Sequence, residues 1–267
     1  MLNKPEEKEI EKHWDKIWEK HNNKSQQLFE KIFYFIFRNQ FSNKQVYKHL
    51  KNQIKTLNNK DFSIIECGCG SGYIQKKIGE KFNSQSDFLD ISKEALKYTK
   101  NNLKKSKLKK ESKFIQGSIL SIPIKDNSYD IVWNSGVLEH FLENDQKKAF
   151  KEMIRITKTK GKTIILIPST YGKIYLKMKK YAEKNGTWQA GYELPLKSMK
   201  HLIPKEYQNQ YEEYSFGYTS QLHYLKYFFK NKTLIKLSIP ILEILQNILF
   251  FLENKPGYFL IGIINKK

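Results

Sequence analysis

The sequence predicts an α/β domain built on a mostly parallel sheet, and three observations carry that expectation. Apolar runs of strand length alternate with helical stretches between residues 63 and 168. The first run empties into a glycine-rich turn that opens a helix, and the second ends in an acid followed by a serine suited to cap the next helix. At 267 residues the chain is long enough for one large domain with additions. Residues 1–60 read as an N-terminal helical extension. Residues 61–267 read as the sheet domain, with an insertion and cap helices within 169–256.

The elements follow in order. Over residues 6–20, Ile10, Trp14, Ile17 and Trp18 fall at helical spacing on an otherwise charged stretch, which predicts an amphipathic helix. Further helices are expected over 26–37 and 44–57. Residues 63–65 form a buried strand, 66–72 the turn, and 75–81 a helix. Residues 87–91 form the second strand, with Ser92 as the cap. A third element spans 114–119; after Ile122, Pro123 and Ile124 a turn at 125–128 leads to a strand over 129–134, which runs into 135–140. The strand at 163–167 is closed by Pro168, where the alternation breaks. The tyrosine-rich stretch 169–215 is expected to hold a helix over 196–202 and to line an acceptor pocket. Residues 239–252 are more apolar than a surface helix needs, yet too short, with Glu243 inside, for a membrane span. With Leu28, Phe29 and residues 32–37 they are expected to pack as helices, cap a site or meet a bilayer interface. A last strand covers 258–264.

The turn Glu66-Cys67-Gly68-Cys69-Gly70-Ser71-Gly72 carries the chemistry. Glycines at alternate positions let the backbone reverse sharply and lie against a ligand with no Cβ in the way. A dinucleotide fingerprint needs a third glycine at position 73, where Tyr73 stands, and a Walker loop needs a Gly-Lys-Ser or Gly-Lys-Thr ending that is absent. Glu66 suits an ammonium or hydroxyl better than a pyrophosphate. Asp90, at the end of the second strand, offers two carboxylate oxygens to the vicinal hydroxyls of a ribose. A plain structural turn and a solvated strand end are the alternatives for these two features.

These separated segments, in this order, resemble the class I S-adenosylmethionine-dependent methyltransferases, particularly the branch typified by the ubiquinone and menaquinone biosynthesis methyltransferases. The resemblance covers residues 62–168 well and the last strand more loosely. It implies a Rossmann-like class I methyltransferase fold: a seven-stranded, mostly parallel sheet with an antiparallel last strand and helices on both faces. It implies S-adenosyl-L-methionine as cofactor, with Glu66, Gly68, Cys69, Gly70 and Gly72 around the methionine end, Asp90 on the ribose and Ile91 beside the adenine. The family usually has an acid after the glycine of the third motif, where this chain has Ser118 and Ile119. Ser118 is a neutral acceptor contributing on the order of 1 kcal/mol net. Asn134 matches a position near the methionine or sulfonium.

His140 is the first candidate base, because it follows the fourth strand's end and its side chain ordinarily titrates near neutrality. A structural or cofactor-side histidine is the alternative reading. His201, His223, Tyr171, Tyr192 and Tyr218 are later choices. Cys67 and Cys69 are too close in a tight turn for a disulfide, and no further cysteine exists for a metal set, so no metal ligands are assigned. The charged N-terminal stretch does not read as a signal peptide, which predicts a cytoplasmic protein, peripheral to a membrane if the apolar helices stay open.

The net charge of +21 draws attention to nucleic acid or an anionic surface. Only Arg38 and Arg155 are arginine. The scarcity of the side chain best suited to bidentate phosphate and guanine contacts makes nucleic acid the weaker partner. A lysine-rich face fits an A/T-rich coding sequence as well as an anionic ligand. No Asn-Pro-Pro-Tyr follows the fourth strand, and neither cysteine can serve cytosine C5 chemistry. A small-molecule, lipid-linked or glycan-type acceptor is therefore expected. An RNA or protein methyltransferase, or a non-catalytic methyltransferase-like assembly module, is the alternative.

Overall fold

The computed structural model describes residues 7–22, 40–57, 61–104, 106–108, 110–188, 190–229, 231–253 and 255–267. The chain enters through α1 (Glu7–Asn22) and α2 (Gln40–Lys55), followed by β1 (Ser63–Cys67), α3 (Tyr73–Phe82), β2 (Gln85–Asp90), α4 (Lys93–Leu103), β3 (Phe114–Gln116) and β4 (Tyr129–Ser135). It continues through α5 (Glu143–Ile156), β5 (Thr157–Pro168), α6 (Lys173–Lys184), β6 (Tyr211–Phe216), α7 (Lys232–Ile248) and β7 (Phe259–Asn265). The seven strands form one sheet in the order β3-β2-β1-β4-β5-β7-β6. The β3-β2, β2-β1, β1-β4 and β4-β5 pairs are parallel, while β7 runs antiparallel to both its neighbours.

A parallel sheet buries both faces, so its strands read as continuous apolar runs. Alternate residues of β1, β4, β5 and β7 serve opposite layers. Ile65, Val132, Ile165 and Leu260 pack with Phe150, Met153 and Ile154 of α5. Ile64, Trp133, Ile164 and Ile261 pack with Val46, Leu50 and Ile54 of α2 and with Ile74 and Ile78 of α3. Within that second layer Trp133 Nε1 donates to Gln75 Oε1 at 2.7 Å, and Gln75 Nε2 donates to the Ile64 carbonyl at 2.9 Å. This satisfied polar pair pins α3, and with it the glycine turn, to the sheet. The carboxyl ends of β1 and β4 are where the strand order reverses, the usual place for a ligand in an open α/β sheet.

Several expectations change. The helix expected over 26–37, with Leu28, Phe29 and residues 32–37, lies outside the described residues. In place of a helix over 196–202 there is only a 3-10 turn, Lys200–Leu202. Leu196 is held extended beside β5, its N–H donating to the Pro168 carbonyl and its own carbonyl accepting from Thr170. Helix α6 and strand β6 were not expected. Tyr175, Met178 and Ala182 of α6 fall on one buried stripe, whereas β6 carries Glu212 and Glu213 and shows no apolar alternation.

Helix α7 is capped by Asn231, whose side chain accepts from Thr233 N–H, and contains Pro240. It buries Leu242 and Gln246, but Leu237, Ile241, Ile244 and Ile248 stay exposed, as do Phe250 and Phe251 beyond it. Among the described residues no helix is long and apolar enough to cross a membrane.

Candidate active site

At the end of β1 the chain turns through Gly68, Gly70 and Gly72, all at positive φ. The Leu89 carbonyl of β2 accepts from both Gly68 N–H (2.7 Å) and Cys69 N–H (3.0 Å), which folds the turn over the neighbouring strand. A Cβ on Gly68 would lie 2.4 Å from Val137 Cγ2, so this position tolerates only glycine.

Asp90 closes β2 and is 7 % exposed. Its Oδ2 accepts from Gly70 N–H and its Oδ1 from Ser92 N–H, both at 2.9 Å, so the carboxylate is held by the turn it faces. Burial pushes its pKa up to about 6 despite those two bonds, with the nearby Asp15 charge adding to the rise. Glu66, at the end of β1, is also buried, and its Oε2 has no partner among the described residues. Burial, reinforced by Asp90, raises its pKa well above the carboxylate range. The thiols of Cys67 and Cys69 are buried and pushed upward by desolvation, which makes them fillers rather than nucleophiles.

These groups share a cavity of about 470 Å³. Of the residues singled out in the sequence, Glu66, Gly68, Cys69, Gly70, Asp90, Ile91, Ser118, Ile119 and His140 line it. Gly72 and Asn134 lie behind the lining. Gly72 is packed against Thr99 and Phe88. Asn134 is fully buried on the α5 side of β4, its Nδ2 3.3 Å from Met153 Sδ, and the next residue, Ser135, faces the cavity instead.

The cavity has a roof that sequence reading did not assign to it. Glu7, Ile10, Trp14 and Trp18 of α1 recur at helical spacing and line the cavity together. Helix α1 is tied to α4: Ser92 Oγ donates to Asp15 Oδ1 at 2.5 Å, Asn22 Nδ2 donates to Glu94 Oε2 at 2.7 Å, and Trp18 packs 5.1 Å from the Tyr98 ring. Ser92 also caps α4 as expected, accepting from Ala95 N–H. Ser118 Oγ donates to a Glu7 carboxylate oxygen and accepts from Leu120 N–H. An acid therefore does reach the Ser118 position, but from α1.

His140 lies in a short 3-10 turn after β4 and is 7 % exposed. Its Nδ1 is 2.6 Å from the Tyr192 carbonyl, which assigns the proton to Nδ1 and the lone pair to Nε2. Burial, together with the charges of His13 and Lys179, lowers its pKa to about 4, so the ring is neutral at neutral pH. Beside it, Glu139 and Glu193 are raised by burial, Glu193 to about 7, and Tyr175 O–H donates to Glu193 at 2.8 Å. The ligand atoms of Glu139, His140 and Glu193 lie within 4.8 Å of one another, a grouping that a search based on cysteines passes over.

Among the later choices His223 lines the cavity, Tyr192 lines a smaller pocket beside it, and His201, Tyr171 and Tyr218 are exposed. Among the described residues, none of the stretch 169–215 lines the main cavity, whereas Ala190, Gly191 and Tyr192 line the smaller pocket. The cap's contribution to the main cavity comes from His223 and Lys226.

Residues 65–165 match the family model described as a methyltransferase domain. The fold superposes on a putative sarcosine dimethylglycine methyltransferase from Galdieria sulphuraria with a TM-score of 0.55. That match has 17 % identity and spans 82 % of this chain and 84 % of that one. The chain has the class I methyltransferase fold. An uncharacterized protein of Methanocaldococcus jannaschii is 40 % identical over 110 residues, 41 % of this chain and 42 % of its own length. Malonyl-[acyl-carrier protein] O-methyltransferase of Buchnera aphidicola is 28 % identical over 151 residues, 57 % of this chain and 56 % of its own. The chain thus spans about half the length of the curated relatives it matches. The matched stretch runs from within β1, through β2 to β4 and α5, into β5, and includes Glu66 and Asp90. The roof α1 and the cap lie outside residues 65–165.

Proposed function

We propose that this chain is an S-adenosylmethionine-dependent methyltransferase acting on a small-molecule, lipid-linked or glycan-type acceptor. The observation that carries the reading is the pair of buried carboxylates, Glu66 and Asp90, ending adjacent parallel strands on either side of a glycine turn and facing one cavity. Glu66 Oε2, buried without a partner among the described residues, is an acceptor awaiting a donor, and the cofactor's ammonium supplies one. Asp90, held by Gly70 and Ser92, presents its carboxylate to the ribose hydroxyls. Ile91 and Ile119 give the adenine an apolar bed.

When bound, the cofactor supplies a methyl group already activated by its sulfonium. The chain's own task is alignment and exclusion of water, worth ~7 kcal/mol or more when geometry is good. Trp14 and Trp18 close the roof over that space. His140 is the base where the acceptor must lose a proton. With a pKa of about 4 it is a weak one, which favours acceptors acidic enough to ionise readily. The Buchnera relative's name, an O-methyltransferase of a malonyl carrier, supports an oxygen acceptor, and the exposed apolar stripe of α7 supports a lipid-linked one. The ubiquinone and menaquinone branch is one acceptor chemistry within this reading.

Calorimetric titration with S-adenosylmethionine and S-adenosylhomocysteine tests the proposal. Micromolar binding of both is expected, and binding of neither would make the non-catalytic assembly module the leading reading. His140→Ala should abolish turnover on the identified acceptor with S-adenosylhomocysteine affinity unchanged; parallel loss of both would reassign His140 to the cofactor. Glu7 should accept from the adenine amino group. Wild type is then expected to prefer S-adenosylhomocysteine over its inosine counterpart by about tenfold, and Glu7→Gln to erase most of that preference. An unchanged ratio would leave Glu7 a roof residue only.

A further inference from the structure

The cavity wall carries three carboxylates, Glu7, Glu66 and Asp90, but among the described residues only one ammonium, Lys226. Lys226 lies in the 3-10 segment Ser220–Phe228, which packs against α6 and α7. Its Nζ is 2.6 Å from His223 Nε2 and 5.0 Å from the centre of the Tyr227 ring. An ammonium has only protons to offer, so Nε2 is the acceptor and the imidazole proton sits on Nδ1. That Nδ1 has no partner among the described residues, and His223 is 6 % exposed.

The pair therefore holds an imidazole N–H with no acceptor among the described residues, beside an ammonium that donates to a neutral nitrogen. Among the described residues no carboxylate is paired with Lys226. Burial alone lowers its pKa to about 8, and burial followed by the Lys226 charge holds His223 well below its ordinary value. A cation in this setting gains most from a ligand that brings a negative oxygen to it, because the desolvation cost is already met in the free protein.

We propose that Lys226 and His223 form a seat for an anionic oxygen group, a carboxylate or a phosphate, on the cap side of the cavity. Two molecules can bring that group: the cofactor, through the carboxylate of its amino-acid end, and the acceptor. The seat rests on the methyltransferase reading for the identity of those molecules. Its own chemistry, a half-buried ammonium beside a buried imidazole N–H, does not depend on that reading. Since the seat belongs to the cap, an anion placed there ties the cap to the cavity floor.

The test compares wild type with Lys226→Met by calorimetry, using S-adenosylhomocysteine and 5′-methylthioadenosine, which lacks the amino-acid end. Thermal unfolding of the S-adenosylhomocysteine-saturated proteins, titrated with malonate and with inorganic phosphate at constant ionic strength, completes it. If the cofactor fills the seat, Lys226→Met weakens S-adenosylhomocysteine roughly 10- to 100-fold and leaves 5′-methylthioadenosine unchanged. If the acceptor fills it, S-adenosylhomocysteine affinity stays within about twofold, and malonate or phosphate raises the Tm of wild type but not of the variant. Equal affinities together with equal anion responses in the two proteins overturn the seat.

Lys226→Arg, which keeps the charge, should preserve the response, and His223→Phe should weaken the same ligand several-fold. These two variants decide the matter if Lys226→Met does not fold. Failure of wild type to bind either nucleoside would sink the cofactor reading instead, while anion titration of the ligand-free protein would still report on the seat.

Discussion

Asp90→Ala is expected to weaken S-adenosylhomocysteine by about 1 to 3 kcal/mol, roughly 5- to 150-fold, through loss of charge-assisted bonds to the ribose. Asp90 also accepts from Gly70 and Ser92, so its removal loosens the turn, and a simple loss of affinity would not isolate the ribose contact. The 2′,3′-dideoxy counterpart of the ligand does isolate it. Wild type should discriminate against that compound, and the variant should bind the two nearly equally. Discrimination that survives the substitution would remove Asp90 from the ribose.

The same group sets a pH dependence. Ligand hydroxyls favour the ionised carboxylate, so binding lowers the Asp90 pKa from its free value of about 6. Affinity should therefore be highest above pH 6 and fall as pH drops through that value. A flat titration between pH 5 and 8 would contradict the assignment. The raised pKa has a separate consequence for the ligand-free protein. Its ionised Asp90 is less favourable folded than unfolded, so this group's contribution to stability declines as pH rises through about 6. Stability without ligand and affinity for ligand thus move in opposite directions across one pH window.

What could be read from the sequence is what the chain keeps local. Glu66, the glycines and Asp90 are each placed by a strand end and its immediate turn, and strand direction alone brings them to one edge of the sheet. The Trp14 and Trp18 spacing announces a helix, but its landing place depends on Asp15 meeting Ser92 and Asn22 meeting Glu94, contacts between residues far apart in sequence. The contact between Glu7 and Ser118 follows from that landing place and leaves no local sign in the sequence. Strand β6 leaves no strand pattern in the sequence because it is an edge strand carrying two glutamates, held by backbone pairing to β7 rather than by an apolar pattern. Lys226 and His223 sit in a 3-10 segment with no strong periodicity. Their meaning appears only with the cap docked, where the lysine has no carboxylate partner among the described residues.

Gly72 separates two meanings of the glycine motif, and its substitution is expected to act on stability rather than on the ligand. Sequence reasoning gives each glycine the same task, letting backbone approach a ligand, yet Gly72 does not line the cavity. It sits at φ 61, capping the start of α3, where a Cβ would lie 2.5 Å from Thr99 Cγ2 and 2.8 Å from Phe88 Cε1. A left-handed alanine costs about 1 to 2 kcal/mol, and crowding a packed site a further 1 to 3. Gly72→Ala should therefore destabilise the fold by about 2 to 5 kcal/mol, read as a lower urea midpoint at unchanged slope. Phe88 is fully buried and stacks on Phe114 of β3, so moving its ring disturbs that contact as well. The residual folded protein should bind S-adenosylhomocysteine with nearly wild-type affinity, because the ligand-facing surface is made by Gly68, Cys69 and Gly70. A stable Gly72→Ala protein with lost affinity would reverse this assignment and return Gly72 to the ligand. A destabilised protein that still binds would instead make this glycine the place where β2, α3 and α4 are packed closely enough to hold the turn in shape.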